Sequence, residues 1–267
     1  MVFTDLAGIT VYLAVAALLA IRLAGRLPEN LDNKRLLIAL GLLGVLLHGI
    51  SLYDSLFTPQ GTDISVFSVM SLVGWAVALL LLISAFGKPV LNLAIIILPV
   101  AALTLVLRSF TDHHLYLEAK LPLGLEAHIM LSVLAYSLLS IAVVQAILLW
   151  IQESHLHNRH PGGFIRLLAP METMERLLFQ MIGLGFILLT VALASGAFYI
   201  EDLLAQHLVH KTVLSVVAWL LFGALLFGHW RWGWRGRVAI RWTLAGFVFL
   251  MLAYFGSKTV VELILAG

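Results

Sequence analysis

Residues 36–56 read LLIALGLLGVLLHGISLYDSL, and no charged side chain occurs in this stretch before Asp54. At 1.5 Å of rise per residue, such a run is long enough to cross the roughly 30 Å hydrocarbon core of a bilayer as a helix. A helix is the only open-chain form that satisfies its own backbone polar groups in lipid. Seven further runs have the same character: Leu6–Leu23, Phe67–Phe86, Val90–Val106, Ala127–Ile151, Phe179–Phe198, Val213–Phe227 and Ala239–Val260. The fourth span in chain order carries Asn92 and Pro99 and follows the third across only Gly87, Lys88 and Pro89, which predicts a tight turn and a kinked helix.

Composition agrees with this reading. Of 267 residues 62% are hydrophobic and 11% charged, and the mean hydropathy is +1.05, whereas a soluble domain carries roughly a quarter charged residues. The expected fold class is all-α: a polytopic integral membrane helical bundle of about eight transmembrane helices, forming a single domain over residues 1–267. No basic segment precedes the first apolar run, and Arg22 and Arg26 follow it, so that run is expected to stay as the first helix.

Lysine and arginine sort by membrane side. With the first loop placed in the cytoplasm, twelve of the sixteen basic residues fall on the inner side, and only Arg108, Lys120, Lys211 and Lys258 fall outside. This predicts N-out and C-out termini. The net charge of +2 is therefore a matter of topology, and it points to no nucleic-acid partner. The chain has no cysteine, which excludes disulfides, thiolate metal sites and thioether haem attachment to this chain. The connection Gln152–Leu178 is expected to hold a polar run, Glu153 to His160, followed by a short interfacial stretch from Phe164 to Leu168.

Ten histidines carry most of the chemical information, because an ionisable group at membrane depth is costly. His155, His157 and His160 read as solvated loop residues; His113 and His114, beside Asp112, read as loop residues with a haem or metal role as the alternative, and His207 and His210 lie in an outer loop beside Glu201, Asp202 and Lys211. His48 and His128 sit within spans, each on a stripe of small or polar residues: Gly41, Gly44, His48, Ser51 and Ser55 in one helix, and His128, Ser132, Ala135, Tyr136 and Ser140 in the other. Spacings of three, four and seven put each set on one face, turned toward other helices. Two readings stand for them: neutral imidazoles hydrogen-bonded between helices, or axial ligands of a haem iron. His229 closes the seventh span beside Trp230, Trp232 and Trp234, where interfacial anchoring and ligation compete. Trp75 and Trp219 lie within spans as core packing or cavity lining. HExxH, GxSxG and paired intramembrane carboxylates are absent, so the chain is expected to be no enzyme.

The stretch from His210 to Trp219, Gly228-His229, Gly233-Trp234-Arg235-Gly236-Arg237 and Ala253-Tyr254-Phe255-Gly256 resembles the C-terminal half of the cytochrome c assembly (CcsA-like) family. Ala127-His128 with Leu134-Ala135-Tyr136 is similar to an earlier helix of that family, and the layout looks closest to its YpjD branch, with HemX-like proteins as relatives. The resemblance implies a bacterial inner-membrane protein that handles non-covalent haem b. By position His128 matches an outer haem-flanking histidine, and His229 matches a membrane-embedded one. His210 and Trp219 fall at the edge of the segment where the family has a Trp-rich loop. His48, His128, His229, His210 and Trp219 are thus the cofactor-binding candidates, the first three as iron ligands. No tryptophan lies between Ser195 and Thr212, and no histidine follows Phe255. Those departures favour haem binding over transfer to an apocytochrome. The implied partners are the lipid bilayer, haem and other cytochrome-assembly or haem-pathway proteins. The competing expectation is a HemX-like, non-enzymatic regulator acting on a cytoplasmic partner.

Overall fold

A computed structural model of the chain describes residues 3–29, 31–58, 61–110, 116–117, 123–157, 168–199 and 206–256. The helices are α1 (Phe3–Leu23), α2 (Lys34–Leu56), α3 (Val66–Gly87), α4 (Ala94–Ser109), α5 (Leu123–His157), α6 (Met171–Tyr199), α7 (Gln206–Trp232) and α8 (Gly236–Met251). A 3-10 turn at Leu91–Leu93 leads into α4, and a π turn at Leu252–Gly256 extends α8. Together these elements provide eight helices long and apolar enough to cross a membrane. The protein is an all-α polytopic membrane protein, as the apolar runs predict.

Two compact units are formed. The first comprises Met1–Lys120 with Pro161–Ala169, and the second Leu121–His160 with Pro170–Gly267. In the first unit α1 packs on α2 and α4, and α3 packs on α2 and α4. Gly44 lets α1 come close, since a Cβ there would meet the Tyr12 ring at 2.8 Å. Three short antiparallel strands, Phe57–Thr58, Gly61–Asp63 and Tyr116–Leu117, pair at one end of the unit, with Phe57 opposite Thr62 and Asp63 opposite Tyr116. Asp63 then organises the start of α3, accepting from the Ser65 backbone N–H and from the Ser65 and Ser68 hydroxyls.

In the second unit α5 packs along α6, α7 packs on α6 and α8, and α8 returns to α5. The buried Gln145 amide donates to the Met174 carbonyl at 3.0 Å and ties α5 to α6. Here the chain departs from the expected layout. The polar run after Gln152 is not a loop from its start, because α5 continues to His157 and α6 already begins at Met171. The extra turns hold because their acids have work to do: Glu153 pairs with Arg237 at 3.0 Å, and Glu175 accepts the Gly236 N–H at 2.7 Å. His207 and His210 lie in α7, which begins at Gln206, instead of in a loop. The stretch 164–167 expected at the interface, together with His113, His114 and His160, lies outside the described residues, and Leu168 is buried.

Candidate functional site

The stripe predicted on α2 does face inward: Gly41, Gly44, His48 and Ser51 are buried. His48 is fully buried in the first unit. Its Nδ1 lies 3.3 Å from the Tyr12 hydroxyl, and its Nε2 lies 2.9 Å from Ser71 Oγ. Both ring nitrogens are therefore engaged, and the hydroxyls can donate or accept to suit either tautomer.

Near His48 on the same face lies a buried ion pair that the spans alone do not announce. Arg108, in the last turn of α4, reaches Asp5 in the first turn of α1 at 2.7 Å, with both side chains nearly fully buried. Ser51 bonds both Asp5 and Arg108, and Ser55 accepts from Arg108 at 2.9 Å. Counting Arg108 as an outer-loop cation missed this role. The signal that could have found it is a carboxylate and a guanidinium at span ends that an even number of crossings brings to one side.

Trp75 donates its indole N–H to the Val45 carbonyl at 2.9 Å and lines an exposed groove of about 530 Å³ with Val45, Leu46, Gly49 and Tyr53. The indole is thus fixed between α2 and α3.

In the second unit His128 stands near the start of α5, half-buried. Its Nδ1 lies 2.9 Å from the Ala192 carbonyl and 3.0 Å from Ser195 Oγ, both on α6. The Ser195 hydroxyl itself donates to the Ala192 carbonyl at 2.8 Å. Both atoms facing Nδ1 therefore act as acceptors, so Nδ1 carries a proton. Donation of one ring N–H to a carbonyl is the arrangement that orients a metal-ligating imidazole. Gly196 makes room for it, since a Cβ there would stand 3.0 Å from the ring.

His229 repeats the pattern at the end of α7. Its Nδ1 donates to the Trp234 carbonyl at 2.8 Å, and its ring stacks on Phe179 of α6 with centroids 3.6 Å apart. The Trp234 carbonyl is held in place because the chain folds sharply back at Gly233 (φ 67°), with Trp234 packed against Gly228. A Cβ at Gly228 would fall 2.3 Å from the Trp234 ring. Gly228→Ala is accordingly expected to push Trp234 away, freeing the His229 ring and lowering stability by about 1–3 kcal/mol, as read from thermal unfolding in detergent.

His128 and His229 do not meet. Their contacts on α6, at Ala192 and at Phe179, are more than three turns apart, roughly 20 Å along the axis. One iron cannot take both. Trp219 lies between these levels, donating its indole N–H to Thr190 Oγ1 at 2.8 Å and stacking on Phe186 with centroids 5.6 Å apart, so it is a packing residue of the α6–α7 seam. His210 is exposed near the start of α7. Tyr136, on the His128 stripe, packs on Phe247 and Phe255.

Fold and site together define a polytopic helical membrane protein whose His128 and His229 each give their Nδ1 proton to a backbone carbonyl. The chain belongs to the cytochrome c assembly protein family, whose pattern matches residues 36–265 and so covers all five candidate residues. It is 33% identical over 254 residues to the inner membrane protein YpjD of Escherichia coli K12, covering 94% of this chain and 96% of that one. A 28.8 kDa protein of Azospirillum brasilense is 36% identical over 143 residues, 53% of each chain. The cytochrome c biogenesis protein CcsA of Gloeobacter violaceus is 32% identical over 93 residues, 34% of this chain and 28% of CcsA. No solved structure matches the chain at a significant level. The protein is a multi-pass protein of the bacterial inner membrane.

Proposed function

We propose that this protein binds and handles non-covalent haem b, and catalyses no covalent step, with His128 and His229 as iron ligands at two separate stations. The observation that carries the proposal is the repeated geometry of these rings. Each gives its Nδ1–H to a backbone carbonyl, the arrangement that orients an imidazole whose Nε2 would serve as the donor to haem iron. Bound haem would supply the iron centre, and the chain's part is to hold and orient it. Ala192 and Ser195 fix the His128 ring, while Phe179 and Trp234 fix the His229 ring. His48 is the least suited of the candidates, since ligation there would require it to give up Ser71 or Tyr12. We read His210 and Trp219 as flanking the site without ligating.

The sorting of lysine and arginine supports placing both termini outside, with His128 toward the outer face and His229 toward the cytoplasm. On that reading the two stations serve opposite sides of the membrane. The deciding measurement is an absorption spectrum of protein purified in mild detergent from haem-replete cells. A Soret band is expected, and a haem-replete preparation without one would remove the proposal.

A further inference from the structure

The turn between α7 and α8 is fixed more firmly than a helix connection requires. Four tethers hold it: His229 to the Trp234 carbonyl, the Trp234 N–H to the Gly228 carbonyl, Glu175 to the Gly236 N–H, and Glu153 to Arg237. Trp232, Trp234 and Trp242 pack in sequence across it, with centroids 5.8 and 5.3 Å apart. Phe227 joins this ladder through Trp230 and Trp232. Trp230 is 80% exposed and Trp232 is 61% exposed.

Charge on this turn has one sign. Residues 228–241 contain four arginines and no acid. Arg237 is taken by Glu153. Arg231, Arg235 and Arg241 are exposed, and no ion pair engages them among the described residues. Exposed indoles beside unpaired guanidiniums at a span end combine an apolar surface for the glycerol and acyl region with donors for phosphate. A rigid turn presents those donors without a backbone ordering cost at the moment of binding.

We infer that the α7–α8 turn is a binding site for an anionic phospholipid headgroup, with Arg231, Arg235 and Arg241 on the phosphate and Trp230 and Trp232 against the lipid backbone. Three guanidiniums are more than one phosphodiester needs. A lipid with two phosphodiesters, such as cardiolipin, therefore satisfies the site best.

The test is lipid retention by the full-length protein in detergent, followed by native mass spectrometry with cardiolipin, phosphatidylglycerol or phosphatidylcholine added at equal concentration. Wild type should retain cardiolipin most and phosphatidylcholine least. With each arginine near an anionic headgroup contributing about fivefold, the triple variant R231Q/R235Q/R241Q should hold cardiolipin on the order of 100-fold less strongly. The single variants, which disturb the fold least, should each lose about fivefold. The triple Arg→Lys variant should keep a preference for anionic lipid while losing part of the strength, because ammonium groups lack the bidentate fork. Equal retention of all three lipids by wild type, or unchanged cardiolipin retention in the single and triple Gln variants, would overturn the inference. The arginines would then be assigned to a soluble acidic partner.

Discussion

Replacing His128 with alanine is expected to weaken the proposed haem binding by more than 100-fold, seen as loss of most of the Soret absorbance of the His128 station. Losing an outer partner of a ligating imidazole costs roughly 10–100-fold in metal affinity, and removing the ring that bears the donor atom should exceed this. Ser195→Ala provides the internal comparison. The Ala192 carbonyl remains to take the Nδ1 proton, so the loss there should stay near the lower end of that range. His229→Ala should remove the other station independently, since the two rings contact α6 some 20 Å apart, and the double variant should be spectrally empty. His48→Ala should leave the absorbance in place while lowering stability, because it orphans Tyr12 and Ser71. A spectrum that survives H128A and H229A but vanishes in H48A would reverse these assignments.

The second large effect concerns stability. Arg108→Leu takes the guanidinium away from the buried Asp5 carboxylate, which should cost about 3–5 kcal/mol in unfolding titrations of the detergent-solubilised protein. Asp5→Asn should cost less, since Ser51 and Ser55 still accept from Arg108. The double variant Asp5→Asn with Arg108→Leu should recover much of the single loss, because breaking a buried pair is worse than replacing it whole. Additivity of the two single effects would show that the pair is not coupled, contrary to their 2.7 Å contact.

What the sequence disclosed and what it hid follow from the range of the forces involved. Span positions were legible because apolar length is a local property, and the inward face of α2 was legible because Gly41, Gly44, His48 and Ser51 repeat at helical spacing. Partners across helices were not. Nothing in the sequence near His48 names Tyr12 or Ser71, and nothing near His128 names the Ala192 carbonyl. Those contacts depend on which helix lies beside which. Helix ends were misjudged for a related reason: Glu153 and Glu175 look solvated in isolation, yet α5 and α6 run on to bring them to Arg237 and Gly236. The imidazole at position 229 is open to anchoring or ligation in the sequence, and no local pattern there names the stacked Phe179 or the Trp234 carbonyl that orient its ring.

At 35 residues, α5 measures roughly 52 Å, well beyond the hydrocarbon thickness it must cross. Such a helix meets hydrophobic mismatch by tilting, and its surplus turns absorb changes in membrane thickness that a shorter helix would pass on to its neighbours. The carboxylate at 153 rides on that surplus and pairs with Arg237 in the first turn of α8, so the surplus turns also serve as a brace for the α7–α8 turn.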